Sequence, residues 1–334
     1  MNHCGVDFSE SRDPLGRDIV TDQVLATSVL GVPVRFESNS YAVIDAAADA
    51  FGNTVPGSKP WRRKPLLVRI VVHGEHAAPS SAARVWSPDA SRLILHGADR
   101  VAVADPIRRQ AVAYVPCALV ARKLEFRQTI LEALTYAIVD HYDRQPVHAA
   151  AVGRDGTIVL LLGPSGAGKS TLAYAAHLAG LTVVSDDTVW VQLRPRMTVW
   201  GPPTQGRRIS LLPDARERFP TLAAHDPVRL PSGKCKISIA LDRASDTALR
   251  AERAVVCLLT RTGDETVLTR ARPETVAAAL AREPEPGFDR FPTRLAACAR
   301  ALAGAGGWEL AVSNDPSSAV PHLVAMLDAA QRAS

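Results

Sequence analysis

Nine consecutive residues near the middle of the chain have the types and spacing needed to hold a row of phosphates. Residues 163–170 fit the pattern G-x-x-x-x-G-K-[ST], and Thr171 follows with a second hydroxyl. Glycines lack a Cβ, so successive backbone N–H groups can turn inward and, with the start of a following helix, bind phosphate oxygens. In such loops the lysine reaches the β- and γ-phosphates and the next hydroxyl ligates Mg²⁺. The residues predicted to bind a nucleotide are Gly163, Pro164, Ser165, Gly166, Ala167, Gly168, Lys169, Ser170 and Thr171.

The segments on either side of these residues favour the same interpretation. Thr157–Leu162 is a short apolar run rich in branched residues, typical of a buried strand. Lys169–Ala179 has a helical pattern, and Gly180 is a natural helix end. Only six of the 39 basic residues are lysines, so a lysine at position 169 is notable in a chain that prefers arginine. A glycine-rich turn without function is the alternative.

Two adjacent carboxylates follow the next predicted strand. Asp186 and Asp187 come directly after the apolar run 181–185. Phosphoryl transfer requires a carboxylate that holds the metal and a group that receives the proton of the incoming hydroxyl. Consecutive side chains on an extended chain point to opposite sides, so one carboxylate can face Mg²⁺ and the other the acceptor. The alternative is a solvated Asp-Asp turn.

One histidine precedes the glycine-rich segment. His148 lies in the predicted strand 147–152, which a turn at 153–156 joins to the strand 157–162. This strand–turn–strand unit predicts an antiparallel hairpin, so the sheet is mixed rather than purely parallel. A lone histidine can be a core residue or a general acid or base, and the pattern alone leaves both open.

The chain of 334 residues is predicted to form two domains, an α+β domain followed by an α/β domain with a mixed sheet. Residues 1–121 contain four strand-like runs and one helix, an α+β pattern without a chemical motif. This domain is a scaffold, a module for homo-oligomerisation or a substrate-recruiting element. Residues 122–334 form the catalytic domain, which starts with an amphipathic helix over 122–142. The predicted elements of the first domain are strands 32–37, 66–72, 92–95 and 110–115 and helix 41–51.

Composition excludes several classes of protein. The net charge of +5 is modest and dispersed, and the basic clusters lack interleaved aromatic residues, which argues against nucleic acid. No apolar run is long enough to span a membrane, and the first residues carry acidic side chains rather than an apolar signal core. The five cysteines are isolated and lack C-x-x-C spacing, so reduced thiols are expected. We expect a soluble, cytoplasmic protein.

These motifs together resemble the HPr kinase/phosphorylase family. The resemblance covers about residues 145–195: the His148-bearing strand, the segment Gly163–Ser170 with its Ser-Gly before Gly-Lys-Ser, and the helix, strand and Asp186-Asp187 that follow. The family's later glycine-rich stretch, of the type Arg-Gly-Leu-Gly-Ile-Ile, is absent from the sequence. The chain is therefore more similar to the HPr-kinase-related proteins that accompany peptide-modification systems, including lasso-peptide tailoring kinases.

The resemblance implies a P-loop kinase domain with a mixed sheet, akin to phosphoenolpyruvate carboxykinase, that uses ATP and Mg²⁺ to phosphorylate a serine. By motif position Asp186 is the base, His148 supports it, Lys169 grips the phosphates, and Asp187 and Ser170 hold Mg²⁺. The acceptor is then a serine of a protein or ribosomally made precursor peptide. Candidates for stabilising the transferred phosphoryl group are Arg207, Arg208, Lys234 and Lys236.

Two other functions remain open from the sequence. The same scaffold could serve a small-molecule kinase, with a pocket in place of a peptide groove. It could also serve a nucleotide-binding regulatory protein that transfers no phosphate, for which Asp186 would be dispensable. The sequence contains neither an LSGGQ signature nor an Asn-Lys-x-Asp motif, which argues against transporters of the cassette type and GTPases.

Overall fold

The structure is a computed structural model of the full chain. It describes residues 19–52, 64–74, 84–86, 93–97, 99–203, 208–230, 233–241, 250–282, 290–304 and 306–332. The chain divides into two compact units, residues 1–142 and 143–334. The fold is mixed α/β, and its two largest sheets contain both parallel and antiparallel pairs.

The first unit is built on one mixed sheet, whose described strands run in the order β1-β2-β3-β7-β6-β5-β4. Its strands are β1 (Gln23–Val29), β2 (Val32–Ser38), β3 (Leu66–His73), β4 (Arg84–Trp86), β5 (Leu93–His96), β6 (Val101–Asp105) and β7 (Gln110–Pro116). Its helices are α1 (Tyr41–Phe51), α2 (Cys117–Ala121), α3 (Lys123–Phe126) and α4 (Ala133–Val139). Residue 92, where a strand was predicted to begin, lies outside the described residues.

The helical segment that ends this unit differs from the single helix expected over 122–142. It contains a π-helical stretch, Arg127–Glu132, between α3 and α4, and a 3₁₀ turn at Asp140–Tyr142. The hydroxyl of Thr135 donates to the carbonyl of Leu131, a bond that competes with the regular helical ladder. Because α4 packs against β3, β6 and β7, this segment falls in the first unit. The division observed at 142/143 therefore differs from the one expected at 121/122.

The second unit contains the predicted site. Its strands are β8 (Gln145–His148), β9 (Ala150–Arg154), β10 (Thr157–Leu162), β11 (Thr182–Ser185), β12 (Thr188–Gln192), β13 (Thr198–Trp200), β14 (Arg208–Leu211), β15 (Pro227–Arg229), β16 (Cys235–Ala240), β17 (Arg250–Ala251), β18 (Arg253–Gly263), β19 (Val267–Ala271) and β20 (Gly307–Ser313). Its helices are α5 (Lys169–Leu178), α6 (Pro273–Ala281), α7 (Pro292–Gly304) and α8 (Val320–Arg332), with 3₁₀ turns at Pro213–Glu217, Pro220–Ala224 and Pro316–Ala319.

The main sheet of this unit has the order β11-β9-β10-β18-β20-β19 and is covered on both faces. Residues of β10 alternate between the two layers: Val159 and Leu161 pack with α5 and α8, whereas Ile158 and Leu160 pack with α6 and α7. A strand buried on both faces is mostly apolar, which is why Ile158–Leu162 shows no alternation of polar and apolar residues. The parallel strands β10, β18 and β20 end at the same edge.

Two expectations about the whole chain can be compared with the described residues. None of the helices in those ranges has the length and apolar character of a membrane-crossing segment. Cys235, Cys257 and Cys298 are free thiols, whereas Cys117 is disulfide-bonded. The expectation of reduced thiols is therefore wrong at Cys117, because spacing along the chain does not limit which cysteines a fold brings together.

Candidate active site

The segment 163–168, which we call the glycine-rich loop, joins the end of β10 to the start of α5. Gly163 lies against β18: a Cβ at this position would stand 2.7 Å from the carbonyl oxygen of Leu259. Gly168 precedes the helix with φ of +95°, a left-handed conformation that favours glycine. The loop is therefore packed closely on the sheet at Gly163 and turns sharply into α5 at Gly168.

The first two helical residues link the loop to its surroundings. Lys169 is buried, and its Nζ donates to the carbonyl oxygens of Gly163 at 2.7 Å and Pro164 at 3.3 Å. The ammonium group is thus folded over the mouth of the loop. The Ser170 hydroxyl donates to the backbone carbonyl of Asp186 at 3.3 Å. That contact places the acidic pair beside the helix start.

The acidic pair occupies a junction between two sheets. β11 belongs to the main sheet, whereas β12 belongs to a second sheet of order β17-β13-β12-β8. Asp186 and Asp187 form the bend between these strands. The Ser185 hydroxyl donates to the carbonyl of Thr188 at 2.7 Å and fixes that bend. The polypeptide is extended on both sides, so the two carboxylates diverge toward different neighbours.

The segment that carries His148 also passes from one of these two sheets to the other. The predicted strand 147–152 is interrupted at Ala149, with β8 pairing to β12 and β9 pairing to β10 and β11. The antiparallel register aligns His148 with Thr188, and His148 Nδ1 lies 3.7 Å from Asp187 Oδ1. The histidine therefore contacts Asp187, the second aspartate of the pair. Sheet pairing joins residues that lie 39 positions apart.

Asp186 is the more enclosed carboxylate. Its Oδ2 accepts a hydrogen bond from the backbone N–H of Ser210, on β14, at 2.7 Å. Burial raises the pKa of Asp186 to about 6 and the Asp187 charge adds to the rise, while the Ser210 N–H and the Lys236 ammonium act in the opposite direction. Asp187, by contrast, has a side chain that is 60% exposed. A carboxylate with a pKa near 6 is ionised at neutral pH and basic enough to accept a proton.

The raised pKa predicts a pH-dependent stability difference between the native protein and the Asp186→Asn variant. Because the folded pKa of about 6 exceeds the ordinary 3.8, the folded state retains a proton that the unfolded state loses in this window. The contribution of Asp186 to stability therefore falls as the pH rises from about 4 to about 6 and stays unfavourable above that. In the absence of nucleotide and metal, the Asp186→Asn variant should melt about 2–4 °C higher than the native protein at pH 7. A difference of roughly 1 kcal/mol in the free energy of unfolding produces a shift of this size in a unit of this length.

Thermal melts across this pH range provide the check. The excess melting temperature of Asp186→Asn should shrink as the pH falls and vanish below the ordinary pKa of 3.8, where Asp186 is protonated in both the folded and the unfolded state. Asp45→Asn, an exposed exchange on α1, serves as the matched control and should show no such trend. An excess that grows as the pH falls would contradict the raised pKa.

The basic candidates differ in their relation to this site. Lys236, on β16, is half-buried and near enough to Asp186 to lower its pKa. Arg208 is exposed and is bonded to Ser238 through that residue's hydroxyl and carbonyl oxygens, at 2.6 and 2.7 Å. Lys234 lies exposed just before β16. Arg207 lies outside the described residues, so of these four the structure brings only Lys236 into relation with Asp186.

Several residues near the loop carry no signal in the sequence. Ser210 binds Asp186 through its backbone, so its residue type gives no indication of the contact. Arg218, Arg261 and Asn314 line a cleft beside Gly168, although they come from three separate parts of the chain. A prediction of β20 as a third parallel strand would have placed Asn314 at the edge of the sheet where β10 and β18 end.

The donor atoms of the site suit a hard cation that is held mainly by phosphate. The described residues contain no cluster of three or more His, Cys, Asp or Glu side chains able to hold a metal. Mg²⁺ is commonly bound by one or two protein oxygens together with substrate phosphates and water. The Ser170 hydroxyl and the exposed Asp187 carboxylate provide oxygen ligands of this kind, so the residues present fit Mg²⁺.

Comparisons with known proteins add little to this geometry. Neither the protein-family models nor the curated proteins include a match to this chain. Among solved structures the chain is similar to the Hpr(Ser) kinase/phosphatase from Coxiella burnetii, with 13% identity and a TM-score of 0.28. The alignment covers 57% of this chain and 97% of that one. A likeness at this TM-score carries no argument, so the functional assignment depends on the site itself.

Proposed function

We propose that this protein is an ATP- and Mg²⁺-dependent kinase that phosphorylates a serine hydroxyl in a protein or ribosomally made precursor peptide. One contact carries the proposal: the Ser170 hydroxyl at the start of α5 lies 3.3 Å from the backbone carbonyl of Asp186. This contact brings the glycine-rich loop, whose sequence fits a phosphate-binding pattern, next to the pair of aspartates. Phosphoryl transfer needs those two parts next to each other.

The donor side of the proposed site is the glycine-rich loop. Backbone N–H groups at the helix start would bind the phosphate oxygens, and the Lys169 ammonium would exchange its bonds to the Gly163 and Pro164 carbonyls for phosphate oxygens. The Ser170 hydroxyl and the Asp187 carboxylate would hold Mg²⁺, which when bound neutralises charge on the transferring phosphates. His148, 3.7 Å from Asp187, would orient that carboxylate.

The acceptor side is the half-buried carboxylate of Asp186. It would take the proton of the serine hydroxyl as the Oγ–phosphorus bond forms and the bond from the γ-phosphorus to the β-phosphate oxygen breaks, leaving ADP. Its pKa of about 6 suits a base that works near neutral pH. The Ser210 N–H fixes the carboxylate, and Lys236 would balance negative charge beside it.

The exposure of the acidic pair favours a macromolecular acceptor over a small enclosed one. The Asp187 side chain, next to Asp186 in the chain, is 60% exposed, so the acidic pair borders solvent on one side. A site for a small molecule is more often a concave pocket that buries most of its ligand. An open approach suits a serine presented on an extended peptide.

A transfer assay with two acceptor pools tests the proposal. The full chain is incubated with γ-labelled ATP and Mg²⁺, and with either degenerate peptides or a deproteinised metabolite extract. The peptides have a fixed central serine, with threonine and alanine libraries as matched controls. We expect acid-stable label in the serine peptides and far less in the alanine set.

Two outcomes would contradict the proposed function. Label confined to metabolites would indicate a small-molecule kinase. Nucleotide binding without label in any acceptor pool would indicate a nucleotide-binding regulatory protein.

A further inference from the structure

A cleft lies on one flank of the glycine-rich loop. It is open to solvent on one side, and the space in it amounts to about 290 Å³ when the open solvent at its mouth is included. The ends of β18 and β20 and the first turn of α5 form its walls. Leu172, Leu259 and Val312 supply apolar surface, and none of its lining residues is acidic. Apolar walls with a few polar groups are typical of small-molecule subsites.

The cleft and the acidic pair lie on different sides of the same helix start. Gly168 and Thr171 line the cleft, whereas Lys169 and Ser170 do not. Ser170 instead contacts Asp186, and Lys169 folds over the loop. A triphosphate bound along the loop would therefore have one end at the carboxylates and the other at the cleft. Since the γ-phosphate must reach the carboxylates, the nucleoside end is directed to the cleft.

We propose that this cleft binds the nucleoside of the triphosphate and that Asn314 selects adenine. The inference rests on the proposed function, because it takes the phosphate end of the ligand as given. Arg261, exposed on the rim, complements the negative charge of any nucleoside triphosphate. Asn314 contributes the amide group that can distinguish one base from another.

The orientation of the Asn314 amide supports adenine. Its Nδ2 donates to the carbonyl oxygen of Gly263 at 3.2 Å, which fixes the amide. The Oδ1 acceptor and the second N–H are the groups this leaves for a ligand. Adenine offers a matching pair, an exocyclic amino donor beside a ring-nitrogen acceptor, which Asn reads with two hydrogen bonds. Hypoxanthine has a carbonyl oxygen in place of that amino group. This oxygen and Asn314 Oδ1 are both acceptors, so they would face each other without a hydrogen bond.

Competition between ATP and ITP measures this selection directly. Labelled ATP is bound to the full chain with Mg²⁺ and without an acceptor, and unlabelled ATP or ITP displaces it. We expect ITP to compete at least about tenfold less well than ATP, as a bidentate amide–adenine pair predicts. In Asn314→Ala this ratio should fall close to one. Arg261→Ala, the matched control, should weaken both nucleotides by a similar factor and keep the ratio.

The results separate this inference from the proposed function. Equal competition by ATP and ITP against the native protein would overturn adenine selection without any variant, and so would an unchanged ratio in Asn314→Ala. In either case, loss of ATP binding in Lys169→Ala would still support the glycine-rich loop as the binding site of the phosphates. Failure of the native protein to bind labelled ATP at all would instead overturn both proposals.

Discussion

Lys169→Ala should lower kcat/KM for phosphoryl transfer by about a thousandfold or more. The ammonium lies over the mouth of the glycine-rich loop, bonded to Gly163 and Pro164, where the phosphates would bind. Its loss removes a charged donor both from the bound nucleotide and from the transition state. Charge-assisted hydrogen bonds contribute about 1.5–3 kcal/mol to binding, and removing one preorganised transition-state donor typically lowers kcat by about 10²–10³-fold. Label transfer and ATP binding are measured on the same preparation. The two measurements separate the loss in nucleotide binding from the loss in transition-state stabilisation.

The control for this variant is Lys123→Ala, the same exchange at an exposed position on α3. It should leave both readouts unchanged. Lys169→Ala removes a buried side chain that bonds two loop carbonyls, so its melting curve must be compared with that of the native protein. Native-like ATP binding in a folded Lys169→Ala protein would exclude the glycine-rich loop as the triphosphate site.

Asp186→Asn should abolish transfer while ATP still binds. Asparagine has the same shape and its oxygen can still accept from the Ser210 N–H, so the bend between β11 and β12 is kept. It cannot take the proton of a hydroxyl, and loss of a general base typically costs about 10²–10⁴-fold in rate. Single-turnover label transfer, alongside the dissociation constant for ATP, provides the measurement.

Two comparisons test whether the loss of activity in Asp186→Asn reflects the loss of a general base: its melting temperature and the neighbouring variant Asp187→Asn. Loss of activity together with the higher melting temperature expected above pH 6 would rule out misfolding as its cause. Asp187→Asn is the neighbouring exchange, and it should shift the requirement for Mg²⁺ because Asp187 is a proposed ligand. Activity kept in Asp186→Asn but lost in Asp187→Asn would transfer the role of base to Asp187 with its contact His148.

Much of the local structure around the site could be predicted because its signals are local. β10 and α1 have the bounds expected from their apolar patterns, and α5 ends one residue earlier than expected. Each pattern depends on neighbours a few residues apart along the chain. The hairpin of β9 and β10 followed in the same way from a turn between two apolar runs.

Other parts depend on pairings between distant segments, which one sequence does not specify. The expected strand 147–152 is two strands in two sheets, because β8 and β9 find different partners. β20 was not predicted, although it pairs in parallel with β18 and supplies Asn314 at its end. The helix ending at Tyr142 falls in the first unit, because α4 packs on that unit's sheet.

The sequence by itself determined the glycine-rich loop, the strand and helix on either side of it, and the position of Asp186 and Asp187 after a buried strand. It could do so because backbone conformation and burial within one short segment follow from residue types. Only the tertiary structure decided that His148 contacts Asp187, that Ser210 holds Asp186, and that a cleft with Asn314 lies beside the loop. Those contacts arise from strand register and sheet order, which join residues far apart in the chain and depend on the packing of the whole unit.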